Sequence, residues 1–165
     1  MLIGSNTASL IRKTTNPLIA VPENAEYSGI RNIAFATNMH GDDVRHIREI
    51  INLFGKDQPK ITLLHIEGKH TRDAEAAFES WFHKEILSAL DYTNIVTECL
   101  DESDLTRSLH EYITLNEVDL LVTATKKRNF IERIFDRSIT ERLVFHSQTP
   151  ILVLHAAISK GEMVF

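Results

Sequence analysis

The sequence predicts an α/β domain built on a five-stranded parallel sheet, Rossmann-like, with helices on both faces and an extra helix and strand at its N-terminal end. Three observations carry that expectation. Short runs of branched apolar residues alternate with longer stretches of helical periodicity. Each gap between strands is long enough for a crossover helix, as parallel pairing requires. The apolar runs are nearly continuous, as in strands covered on both faces.

The elements follow in order. Ile30–Thr37 reads as the first buried strand, with Ile33, Ala34, Phe35 and Ala36 in a row. His40-Gly41-Asp42-Asp43 is a turn offering a carboxylate as helix N-cap. Val44, Ile47, Ile51 and Phe54 form one helical stripe closed by Gly55. Lys60–Ile66 is the second strand, and Arg72–Leu90 a long helix with Ala74, Ala77, Phe78, Trp81, Phe82, Leu87 and Leu90 on one face. Asn94–Leu100 is the third strand. Ser103 caps a helix over Asp104–Asn116, striped by Leu105, Leu109, Tyr112 and Ile113. Asp119–Thr125 is the fourth strand. A basic loop, a further helix and the strand Pro150–His155 complete the set.

The chain also repeats itself. Ser5, Thr7, Leu10 and Pro17 recur at constant spacing as Ser138, Thr140, Leu143 and Pro150, and Leu18-Ile19-Ala20-Val21 is echoed by Ile151-Leu152-Val153-Leu154. Both copies read as a helix, a break, a proline and a buried strand. The spacing is about one domain length. The simplest organisation is therefore the last helix and strand of an upstream domain over 1–22, a linker over 23–29, a complete domain over 30–156 and a tail over 157–165. A permuted single domain with an added strand is the alternative.

Composition narrows the function. Of 165 residues, 43% are hydrophobic and 25% charged, which is ordinary for a globular chain. A net charge of −5 gives no basic footprint for nucleic acid. No apolar run approaches the ~20 residues that span a bilayer, so no membrane partner is expected. The single cysteine, Cys99, fits a reducing cytoplasm and permits no internal disulfide. The eight histidines show no metal-ligand spacing, and no catalytic constellation is visible. Neither a metal nor an enzymatic activity is expected.

The stretch from Asp119-Leu120-Leu121-Val122 through Ser138-Ile139-Thr140-Glu141-Arg142-Leu143 to Pro150-Ile151-Leu152-Val153 resembles the universal stress protein family. The resemblance covers Ile30 to His155. It implies a loop of the form G-x2-G-x9-G-[ST] that, in ATP-binding members, holds phosphates on glycine backbone and a helix N-terminus. It also implies an acidic residue ending the first strand and main chain late in the second strand, both for the nucleoside.

Carried over, the glycine positions are Ala124, Lys127 and Arg137, the hydroxyl position is Ser138 followed by Ile139, the acidic position is Asn38 after Thr37, and the main-chain position is Ile66. Side chains at 127 and 137 would fill the phosphate volume. The expectation is a degenerate nucleotide site and no bound cofactor. The rival is a sensor that still holds ATP, AMP or another phosphate ligand through Ser138 and the basic loop Lys126, Lys127, Arg128, Arg133 and Arg137. A small hydrolase is a third reading. Ser138 and Glu141 also make a capping box, a structural role needing no ligand.

The resemblance implies dimerisation through last strands. Leu18, Ile19, Ala20, Val21, Ile151, Leu152, Val153 and Leu154 are therefore the candidate interface, with the two apolar strands pairing antiparallel inside one protein. The expected partners are an upstream domain of the same protein or a second copy, in a homodimer.

Overall fold

The computed structural model describes residues 10, 13–37, 39, 41–67, 71–101, 105–124 and 148–155. Six strands, β1 (Leu18–Ala20), β2 (Asn32–Thr37), β3 (Lys60–Glu67), β4 (Ile95–Asp101), β5 (Leu120–Ala124) and β6 (Ile151–Leu154), form one sheet in the order β1-β6-β5-β2-β3-β4. Strands β2 to β6 are all parallel, and β1 closes the β6 edge antiparallel. The five-stranded parallel sheet with an added N-terminal strand is the architecture the apolar runs predict. Of the N-terminal helix, Leu10 and Lys13 are described as helical. The expected cap Ser103 and the helix before the last strand lie outside the described residues.

Alternation along the strands makes two cores. On one face Ile33, Phe35, Ile61, Leu63, Leu120, Val122, Leu152 and Leu154 pack with Ile47 and Ile50 of helix α1 (Asp43–Phe54) and Phe78 of α2 (Arg72–Trp81). On the other, Ala34, Leu64, Leu121, Ile151 and Val153 meet Leu109 and Ile113 of α3 (Leu105–Leu115). Each fully buried large apolar side chain contributes roughly 1.5–3 kcal/mol. This doubly wound arrangement leaves both sheet faces covered and both edges of the sheet as surface.

Three local expectations are corrected. First, Asp42 stands at the N-cap of α1, but its backbone is helical (φ −73°) and its side chain makes no cap bond. Second, Gly55 closes α1 as expected, but with a right-handed backbone. Its φ is −65°, the chain runs on into a 3-10 turn over Gly55–Asp57, and the left-handed residue is Gln58. A Cβ at 55 would sit 3.0 Å from Ile51 Cγ2, a contact that requires that side chain to shift.

Third, the long helix expected over Arg72–Leu90 changes pitch. It is α-helical to Trp81 and π-helical over Phe82–Leu87. The wider turn carries Phe78, Phe82 and Ile86 inward at four-residue steps and turns Leu87 outward, and Ala77 is exposed. Thr71 caps α2, its hydroxyl accepting from Ala74 N at 3.2 Å.

The N-terminal ends of the strands are tied structurally. The Asp119 carboxylate accepts from Arg31 N and Asn32 N, both at 2.8 Å. Tyr92 hydroxyl donates to the Pro59 carbonyl nearby, and burial pushes its phenol above the ordinary range. That end of the sheet carries bonds between elements, and the opposite end carries the crevice.

Candidate functional site

In an open parallel sheet a ligand crevice forms where neighbouring strands send their crossovers to opposite sides. Here β2 is that strand, pairing β3 on one side and β5 on the other. The β2–β5 ladder runs Ile33↔Leu120 to Phe35↔Val122 and stops before either strand ends. The β2–β3 ladder continues to Thr37↔His65. The crevice therefore lies beyond the C-terminal ends of β2 and β5.

Of the residues carried over for nucleotide binding, the structure brings together Thr37, Ile66 and Ala124, which end or nearly end three adjacent strands. Asn38, Lys127, Arg137, Ser138 and Ile139 lie outside the described residues, as does the basic loop. Thr37 and Ala124 are buried, and Ile66 is half-buried.

Sequence reasoning missed what surrounds Thr37. Its hydroxyl donates to Asp43 Oδ2 and accepts from Met39 N at 2.9 Å. Met39 holds a left-handed φ of 58° and lays its side chain against the core under α1. Asp43 is thus a buried acceptor at the start of α1, where the sequence suggests only a cap. His46, one turn on, is 1% exposed, and its Nδ1 lies 3.8 Å from Asp43 Oδ1.

Arg45 Nη2 donates at 2.8 Å to His46 Nε2 and at 2.8 Å to the carbonyl of His155, just beyond β6. A guanidinium only donates, so Nε2 accepts and the His46 proton sits on Nδ1, towards Asp43. His65 Nδ1 stands 3.4 Å from the Thr37 carbonyl, with its ring 5.1 Å from Phe78. The only advance signal for this network was a Thr and an Asp bracketing a turn.

Chemically, the arrangement spends its polar groups on itself. The Thr37 hydroxyl is engaged by Asp43 and by main chain, and Arg45 joins α1 to the end of β6. Burial lowers the pKa of His155 from its ordinary value, while Glu49 opposes the shift. Among the described residues no group of three His, Cys, Asp or Glu side chains is placed to hold a metal. Nor does any described helix have the length and apolarity to cross a membrane.

A separate open groove of about 470 Å³ lies across the sheet between β4 and α3, lined by Cys99, Leu100, Ser108, Glu111, Tyr112, Leu115 and Asn116. Burial raises the Tyr112 phenol, which bonds Thr62. Its Leu100 and Cys99 lie beside Ile66 and His65 in the β3–β4 ladder.

Known structures share this fold. A universal stress protein solved in complex with cAMP superposes with a TM-score of 0.54 at 16% identity, covering 78% of this chain and 98% of that one. A universal stress protein from Archaeoglobus fulgidus DSM 4304 gives a TM-score of 0.56 at 11% identity over 88% of this chain. This chain spans 52% of that second protein's length. No curated protein sequence matches the chain. The sequence profile of the Universal stress protein family matches residues 29–155, the whole unit from the approach to β2 to the end of β6. The chain belongs to the universal stress protein family.

Proposed function

We propose that this chain is a non-enzymatic, cytoplasmic stress-response domain that works through dimerisation and interaction at its edge strands, its nucleotide site being degenerate. The observation that carries this reading is the antiparallel ladder in which the apolar β6 takes β1 as a partner along its outer edge. Paired in this way, β6 serves as an adhesive strand and not as a surface. The loss of nucleotide binding is supported by Lys127 and Arg137 at glycine positions and by Asn38 at the acidic position. It is further supported by the Thr37 hydroxyl being engaged by Asp43.

A second reading, a sensor of ATP, AMP or another phosphate ligand, is favoured by the retained Ser138 beside five basic residues. The cAMP complex of a protein with the same fold also favours it. A thermal melt of the chain with and without millimolar ATP separates the two, with mass spectrometry of small molecules released on denaturation. A ligand at 100 times its dissociation constant adds ~2.7 kcal/mol, several degrees for a domain of this size. The interaction reading predicts a flat melt and an empty extract. A shift of several degrees, or a co-purifying nucleotide, overturns the degenerate site and makes the sensor the function.

A further inference from the structure

Helix α1 carries a histidine with a different partner for each of its charge states. His46 is 1% exposed, and its ring meets that of Phe35 at 68° with centroids 6.2 Å apart. Its Nε2 accepts from Arg45 Nη2 at 2.8 Å, which only the neutral ring can do. Its Nδ1 makes no hydrogen bond among the described residues and stands 3.8 Å from Asp43 Oδ1. That is too long for a hydrogen bond, yet near enough for a carboxylate to favour a cationic ring. Asp43 is itself buried, and its other oxygen accepts from the Thr37 hydroxyl.

Arg45 couples the ring to the rest of the fold. The same Nη2 that donates to His46 also donates to the His155 carbonyl at 2.8 Å, so one guanidinium nitrogen clasps α1 to the chain just past β6. When Nε2 takes a proton from solvent its lone pair is used up, and an N–H then points at a guanidinium. Two cations meet at hydrogen-bond distance beside a buried ring, where salt screens their repulsion little. Another partner for Arg45 is at hand, because its Nη1 already lies 3.7 Å from Glu49 Oε2 on the next turn. The charged and titratable groups that meet this ring or its partner Arg45 are thus Asp43 and Glu49 of α1 and His155 beyond β6. On the sheet, β2 presents Phe35 and the Thr37 hydroxyl, and β3 places His65 beside Thr37.

We propose that His46 is a proton-operated switch, in which proton uptake transfers its partnership from Arg45 to Asp43 and opens the clasp between α1 and the end of β6. Histidine is the side chain that changes charge between about pH 5 and 8. Here each charge state has its own built-in partner on the same helix, a donor for the neutral ring and a carboxylate for the charged one. His155 enters the clasp through its main-chain carbonyl, so its own titration can be separated from that of His46. The inference depends neither on what β6 binds nor on the nucleotide site.

The test uses the 165-residue chain carrying His155→Gln, which keeps the carbonyl and removes that residue's own titration. Nitrogen chemical shifts of the His46 ring are followed from about pH 8 to about pH 5. They are expected to show Nε2 unprotonated at the upper limit and both nitrogens protonated at the lower. Over the same range the hydrogen-exchange protection of the amides at 153–155, corrected for intrinsic rate, is expected to fall about tenfold. Adding His46→Gln, whose amide oxygen accepts from Arg45 but takes no proton, should hold that protection high throughout. Adding Arg45→Met should hold it low throughout. A ring that stays neutral down to the lower limit overturns the inference, as does a ring that charges with no loss of protection. So does a pH-dependent loss that survives His46→Gln. The first two outcomes need no substitution in the switch itself, so they decide the matter even where a switch variant fails to fold.

Discussion

The two edges of the sheet are built on opposite principles. At one end β1 is three residues long and uncharged, flanked by Pro17 and Pro22, with Ile19 and Val21 open to solvent. At the other, β4 is seven residues long and carries Glu98 and Asp101. There the Thr97 hydroxyl donates to Glu79 of α2. A charged, exposed side chain such as Glu98 discourages a neighbouring strand, whereas exposed apolar residues such as Ile19 favour one. The contrast teaches that the two edges of one sheet can differ in length and in charge.

The largest effect is expected from deleting residues 1–22. This bares β6, whose Leu152, Val153 and Leu154 are at most 1% exposed in the intact chain. Losing that cover should lower the melting temperature by roughly 10 °C or drive association through β6. A deletion variant with unchanged melting and mass would remove β1 from the account.

A core change that spares both edges calibrates this. Phe35→Ala should cost about 3–5 kcal/mol in chemical denaturation without altering the assembly of the protein that remains folded. A smaller effect is expected at the acidic edge, where Glu98→Val should leave stability within ~0.5 kcal/mol. It should nonetheless raise association at high concentration, read by sedimentation. No change in association would mean that Glu98 is not what keeps β4 unpaired.

The smallest effect is a pH dependence at the end of β6. Burial lowers the folded pKa of His155 below the unfolded value of about 6.5. Between those values the unfolded chain binds more protons. This contribution is therefore flat above about pH 6.5, and stability falls as pH drops below it, until the folded pKa is passed. His155→Gln should flatten that part of the profile of melting temperature against pH. An identical profile would assign the slope to other groups.

Much of the fold was legible because buried parallel strands are written as branched apolar runs. Asn32–Thr37, Leu120–Ala124 and Ile151–Leu154 stand within a few residues of their expected bounds. The pitch change after Trp81 was not legible, since Phe78, Trp81, Phe82 and Leu87 satisfy an α-helical stripe as well as a π-helical one. Nor was the role of Asp43, because an Asp at a helix start has the same appearance whether it caps backbone or accepts from a buried Thr six residues earlier. The link from Arg45 to the His155 carbonyl joins residues far apart in sequence, and no local pattern encodes it. The candidate crevice was legible as a position, at the ends of β2 and β5, through the topology rule alone.

The most direct test of the contrast between edges is the light-scattering mass of three proteins at high concentration: the intact chain, Ile19→Lys and Val96→Lys. Under the proposed interaction reading, the apolar β1 edge is where two copies would meet. The account predicts a dimer of twice 18.8 kDa for the intact chain, a monomer for Ile19→Lys and an unchanged dimer for Val96→Lys. A monomeric intact chain, or a dimer that dissociates on Val96→Lys and survives Ile19→Lys, would contradict it.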